Sequence, residues 1–152
     1  MAQKKGKCVV VVSGGFDPVH VGHVRMFEAA KKLGDELVVI LNNDNWLRKK
    51  KRHVFMPEAE RKEVIEAFQC VDRVVLTGHG VDTADMSVVR ELKKLKPDIF
   101  ANGGDRFAKN IPEVAVCKAI DCEMIFRVGH GGKVQSSSWL LTNYLKNRVS
   151  LL

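Results

Sequence analysis

His20 and His23 stand three residues apart, with Gly22 between them, in the stretch SGGFDPVHVGH that joins the apolar run CVVVV to the helical-looking run VRMFEAAKKL. In the first turn of a helix, side chains at this spacing emerge on one face with Cβ atoms roughly 5–6 Å apart. Two imidazoles then face one ligand. Gly14 and Gly15 carry no Cβ, so main chain there can approach that ligand closely. A helix starting near Val21–Gly22 directs unpaired N–H groups and a partial positive charge into the same space, which suits an anion. The chemistry implied is the cradling of a phosphate chain. Neither a Gly-x-Gly-x-x-Gly fingerprint nor a Gly-Lys-Ser/Thr loop is present, which disfavours hydride transfer and P-loop hydrolysis. A two-histidine metal site with Asp17 lacks evident third and fourth ligands, so no protein-held metal is expected. The plain structural alternative is that both histidines only cap a helix.

A second feature is the run RKKKR, Arg48–Arg52. It holds five positive charges against a formal net charge of +7, leaving +2 for the rest of the chain. One local anion site fits that distribution better than the broad basic face of a nucleic-acid-binding protein. RNA binding through the run would show as steep salt dependence with little nucleotide affinity. A solvated loop or an import-like tag are the blander readings.

These groups need a scaffold. Apolar β-branched runs alternate with helical patterns, the rhythm of βαβ units around a parallel sheet. Strands are expected at 7–13, 36–42, 73–77, 98–102 and 123–128, several of them near-continuous apolar runs such as ELVVIL, as when helices cover both faces. Met26, Ala30 and Leu33 stripe a first helix and Val64, Ile65 and Phe68 a second, which Pro57 opens. Val88, Leu92 and Leu95 mark a third, Pro112 opens a fourth, and Ser136–Ser138 cap a last. The fold class is α/β, one doubly wound, Rossmann-like domain over residues 1–152 with a mainly parallel five-stranded sheet. Ligands in such sheets bind beyond the carboxyl ends of the strands, near the switch in strand order. The loops expected to carry function are therefore 13–23, 43–56, 78–85, 102–111 and 129–138.

The totals are ordinary for a soluble globular protein of one domain: 152 residues, 45% hydrophobic and 28% charged. Apolar runs are far short of the roughly 20 residues that span a bilayer, and MAQKKGK has no signal-peptide apolar region, so the expected location is the cytoplasm, with no membrane partner. Four scattered cysteines without a Cys-x-x-Cys pair suggest reduced, mostly buried thiols.

The stretch GGFDPVHVGH resembles the His-x-Gly-His hallmark, after a Gly-x-Phe-Asp turn, of the cytidylyltransferase-like nucleotidyltransferases. The likeness extends over nearly the whole chain. RKKKRHVFMPEAERKEVIEAFQCVD is similar to the family's lysine loop and following helix, NGGD to its Gly-Asp loop, and VQSSSWL to its Ser-Thr-Thr-type segment. Glycerol-3-phosphate cytidylyltransferase, the heptose-phosphate adenylyltransferase domain and archaeal FAD synthetase are the branches it resembles most.

The resemblance implies transfer of a nucleoside monophosphate from CTP or ATP, with Mg2+ accompanying the triphosphate, to the phosphate of a small polyol or sugar phosphate, releasing pyrophosphate. It implies catalytic roles for His20, His23, Lys50 and Arg61. It places Gly14, Gly15, Phe16, Asp17, Asp105, Ser136, Ser137 and Ser138, with both histidines, around the nucleotide. Lys49, Arg52 and His79 fall to the acceptor, nucleic acid is not a partner, and the assembly is a homodimer. Lys133 stands where many cytidylyltransferases carry an arginine, Gly15 replaces a threonine and Arg106 an aromatic residue, which leaves the choice between CTP and ATP open. The rival from another class is a catalytically idle nucleotide sensor.

Overall fold

Five runs in which nearly every residue is apolar become five parallel strands in a computed structural model, which describes residues 6–104, 111–129 and 135–149. In chain order they are β1 (Val9–Gly14), β2 (Glu36–Leu41), β3 (Arg73–Leu76), β4 (Ile99–Ala101) and β5 (Glu123–Ile125). The sheet order is β3-β2-β1-β4-β5, so the direction of winding reverses beside β1. Both faces are covered. On one, Val10, Val12, Leu37, Val39 and Leu41 pack with Phe27 and Ala30 of α1 (Val21–Lys31) and Ile65 of α3 (Glu58–Glu66). On the other, Val11, Val38, Ile40 and Phe100 pack with Leu92 of α4 (Val89–Leu95) and with Val116 and Cys117 of α5 (Glu113–Ala119). This is the α/β arrangement expected when strands lack a polar face.

The expected strand limits shrink by one to three residues. Asp98, expected in β4, instead turns its carboxylate back to accept from Val9 N–H at 2.8 Å and so fastens the start of β1. One element is a correction. The basic run, expected on a mobile loop, forms the last turns of a further helix, α2 (Asp44–Lys51). Asn43 caps it by accepting from Trp46 N–H at 3.0 Å, Trp46 and Leu47 are buried, and Arg52 ends it in the left-handed region at φ 67°. The last helix, α6 (Ser137–Val149), begins where its serines are. Cys8, Cys70, Cys117 and Cys122 are all outside disulfides. No helix among the described residues is long and apolar enough to cross a membrane.

Candidate active site

The carboxyl end of β1 is where elements converge. A Cβ on Gly14 would meet the Phe16 ring at 2.8 Å, and one on Gly15 would meet the end of the Leu47 side chain at 2.9 Å, so a larger residue at either would have to displace these neighbours. Phe16, at φ 49°, is buried with its ring edge-on to His23 and Phe27, at centroid distances of 4.8 and 5.0 Å. Asp17 is buried too. Its two carboxylate oxygens accept from Phe55 N–H at 2.6 Å and Met56 N–H at 2.7 Å, holding the segment after α2 onto the turn. Phe16 and Asp17, assigned to the nucleotide by family likeness, thus have side chains engaged in packing and in tying the segment.

His20 is the N-cap of α1. Its Nδ1 accepts from Gly22 N–H at 3.1 Å, while Nδ1 of His23 accepts from His20 N–H at 3.2 Å. With both Nδ1 lone pairs used, each neutral ring carries its hydrogen on Nε2. The rings stack at 3.7 Å with 26° between planes. Burial, and then the charge on His20, lower the His23 pKa to about 3, so this ring is neutral at physiological pH. Two Nε2–H donors and the unpaired N–H groups of α1 are therefore held together by a reciprocal cap. The capping role and the phosphate-donor role are compatible, because capping uses Nδ1 and leaves each ring its Nε2 hydrogen.

Arg61 has no exposed surface. Its guanidinium donates to the carbonyls of Met56, Gly15 and Asn42 at 2.8, 2.7 and 2.7 Å and pairs with Asp44 at 2.7 Å. Four acceptors from three segments are gathered on one planar cation. Its work in this arrangement is to fix the glycine turn against the start of α2, and Asp44, which the sequence reading did not single out, is its counter-ion.

The five basic residues divide between faces of α2. Lys50 lies three and four residues after Leu47 and Trp46, the side chains that pack beside Gly15, and so shares their face. Arg48, Lys49 and Arg52, with Asn45, line a cleft of about 380 Å³ closed opposite by Val81 and Asp82. Lys49 pairs with Asp82 at 3.2 Å and donates to the carbonyl of Thr83, which ties the 81–83 loop down. His79, assigned to the acceptor, bonds Thr77 Oγ1 at 2.8 Å through Nδ1 and the Ser87 carbonyl at 3.0 Å through Nε2. Both ring nitrogens serve the loop.

The serines reach the same place from the other end of the sheet. Ser136 Oγ accepts from Trp139 N–H at 3.0 Å, and Ser137 Oγ donates to the Pro18 carbonyl at 2.9 Å, while Ser138 is exposed. The N-termini of α1 and α6 therefore meet at residues 18–23, doubling the supply of unpaired N–H groups. Asp105, Arg106, His130 and Lys133 lie outside the described residues. Among the described residues no three His, Cys, Asp or Glu side chains gather as a metal site.

Residues missed by sequence reasoning are Asp44 and the capping Asn43. The signal was present: Asn43-Asp44 shortly before Leu47–Lys51, five residues of good helix propensity. Asn42 and Asn102, at the ends of the two strands flanking β1, are also buried there, each with a carboxamide oxygen that has no hydrogen-bond partner.

Comparison with known proteins bears on this arrangement. A family model described as cytidylyltransferase-like matches residues 11–137. The FAD synthase of Thermococcus kodakarensis is 42% identical over 108 residues, 70% of this chain and 69% of that protein. The bifunctional protein HldE of Streptomyces coelicolor is 38% identical over 112 residues, 72% of this chain but 23% of that protein. Across other archaeal FAD synthases the match falls to 58% of their length. A crystal structure of a lipopolysaccharide core biosynthesis protein from Thermoplasma volcanium superposes with a TM-score of 0.67 at 28% identity, covering 83% of this chain and all of that one.

Proposed function

This chain belongs to the cytidylyltransferase-like family of nucleotidyltransferases, and we propose that it moves a nucleoside monophosphate from CTP or ATP onto the phosphate of a small-molecule acceptor, releasing pyrophosphate. The observation that carries the reading is the pair of Nε2–H donors at the start of α1, fixed by the reciprocal cap and joined by the start of α6. Such a site suits a reaction in which charge moves from the α-phosphorus onto departing pyrophosphate. The acceptor oxygen attacks the α-phosphorus in line, the bond to the bridging oxygen breaks, and the protein's task is alignment and charge stabilisation.

His20 and His23 donate to phosphate oxygens as that charge grows, each with the hydrogen that its cap leaves on Nε2. Lys50, on the α2 face that packs beside the glycine turn, neutralises the approach of a second anion. Arg52 and Arg48 extend that field along the cleft toward the acceptor. Arg61 positions, and touches no substrate. Mg2+ enters with the triphosphate, held by phosphate oxygens and water. Both carboxylate oxygens of Asp17 are engaged by backbone N–H groups. We take the working unit to be a cytoplasmic homodimer by family likeness, which sedimentation and cell fractionation check. FAD synthase and HldE relatives make both flat-ringed and sugar-based acceptors worth assaying.

The test is a pyrophosphate-release screen crossing four nucleoside triphosphates with a panel of phosphate monoesters. The reading expects one pair to turn over and His20→Ala to lower its kcat by about 10²–10³. Full turnover by that variant, or nucleotide binding with no product from any pair, would refute it, the second outcome favouring an idle sensor.

A further inference from the structure

The cations of α2 do not all face the reaction. Asn45, Arg48, Lys49 and Arg52 recur at three- and four-residue spacing and together line the cleft of about 380 Å³, whereas Trp46, Leu47 and Lys50 lie on the opposite side of the helix, Trp46 and Leu47 against Gly15. A cleft of that volume takes a small molecule or one end of a longer one.

Its walls are held in place. Lys49 donates to the Asp82 carboxylate at 3.2 Å and to the Asp82 carbonyl at 3.3 Å, and the carboxamides of Asn43 and Asn45 donate to the His79 carbonyl at 2.8 and 2.9 Å, so the loop bearing Val81 and Asp82 is tied to the helix on both sides of the cleft. Asp82 thus neutralises Lys49. Arg48 and Arg52 pair with no carboxylate among the described residues, and Arg48 reaches only the Asn45 carboxamide, at 3.5 Å. Two guanidiniums without counter-ions in one cleft suit a phosphate or carboxylate, which their planar forks bind through paired hydrogen bonds.

That anion is not the phosphate that reacts. The reacting phosphate meets the α-phosphorus at the histidine cradle, beside the glycine turn, and α2 stands between that turn and the cleft with the roughly 10–12 Å diameter of a helix and its side chains. Lys50 and Arg52, however, are only two residues apart in the last turn, so an elongated molecule lying over the carboxyl end of α2 meets one with each end.

We propose that the cleft of Arg48 and Arg52 holds a second anionic group of the acceptor, a phosphate or carboxylate about one helix width from the phosphate that reacts. The acceptor is then an elongated phosphate monoester with an acidic far end, in preference to one whose remainder is neutral. This inference rests on the nucleotidyl-transfer reading for its catalytic arm and stands independently in its binding arm.

The binding arm titrates hexane-1,6-diol bisphosphate and hexyl phosphate calorimetrically into wild type, the double variant Arg48→Gln/Arg52→Gln, and Lys93→Gln/Lys94→Gln, which removes the same charge from the exposed side of α4. Charge-assisted hydrogen bonds predict that wild type binds the bisphosphate at least about tenfold more tightly than the monophosphate, that the arginine variant loses most of this advantage, and that the lysine variant keeps it. The catalytic arm measures pyrophosphate release with acceptors paired to differ in a second anionic group. Fructose 1,6-bisphosphate against fructose 6-phosphate tests a phosphate end, and 6-phosphogluconate against glucitol 6-phosphate a carboxylate end. The doubly acidic member of at least one pair has the lower KM, and the arginine variant raises that KM about tenfold while KM for the triphosphate stays unchanged. An equal bisphosphate advantage in wild type and the arginine variant, an equal loss in the lysine variant, a rise confined to the triphosphate KM, or a better kcat/KM for the singly acidic member of both pairs would each overturn the proposal. An arginine-dependent bisphosphate preference without pyrophosphate release from any acceptor would support this cleft while refuting nucleotidyl transfer.

Discussion

Replacing Arg61 separates a positioning role from direct contact with phosphate. In Arg61→Met the Gly15, Asn42 and Met56 carbonyls lose their shared donor and the Asp44 carboxylate loses its cation, all at a site with no solvent access to the guanidinium. Removing one partner of a buried pair costs about 3–5 kcal/mol, because the other is left uncompensated. At about 2–4 °C per kcal/mol for a chain of this size, Tm falls by roughly 6–20 °C. Arg61→Lys, a single point of charge where a planar fork held four acceptors, recovers only part of that loss. The assay is thermal unfolding by circular dichroism beside steady-state pyrophosphate release below each variant's Tm. The expected result is that Tm and kcat fall together and that lysine partly restores both. A variant that unfolds within about 2 °C of wild type yet loses 10²–10³ in kcat would refute the positioning argument and return Arg61 to the phosphates.

Other consequences follow from the same contacts. His23 titrates near 3 when folded and near 6.5 when unfolded, so protons favour the unfolded chain between these values; stability is complete above about pH 6.5 and declines as pH falls, by roughly 2 kcal/mol at pH 5. Urea titrations at pH 7.5 and 5 show that decline as a difference between wild type and His23→Asn, and identical pH slopes would contradict it. Asp17→Asn puts an amide N–H₂ against one of two backbone donors and costs about 2–3 kcal/mol in urea unfolding, with faster proteolysis in residues 52–57; wild-type stability would count against the clamp. Ser137→Ala removes a neutral hydrogen bond worth about 1 kcal/mol and raises KM for the triphosphate by loosening α6 from Pro18, and an unchanged KM would detach α6 from the site.

The strands were legible because a parallel sheet covered on both faces writes itself as continuous apolar runs, ELVVIL most plainly. The helix α2 was not, because only Trp46 and Leu47 of its eight residues are buried, and the cations that fill the remainder read as a solvated loop. The histidine pair was legible as spacing. Its tautomer comes from the local cap bonds, but its lowered basicity was not legible, since burial, its first cause, is an outcome of the whole fold. Family likeness gave Arg61 a catalytic role, and nothing local to it names carbonyls at 15 and 42 as its partners. Phe16 and Asp17 show the opposite difficulty: a motif marks the place of a site without saying which of its residues face the ligand and which hold the turn.

His20 and His23 offer their Nε2–H groups to phosphate. Two-dimensional ¹H–¹⁵N spectroscopy of the ring nitrogens, recorded at pH 7.5 with and without a non-hydrolysable nucleoside triphosphate, reads this directly. The predicted result is that His20 and His23 both show the Nε2–H tautomer and that both Nε2 signals move on binding. Saturable binding with those signals unmoved, or rings protonated at Nδ1, would contradict it.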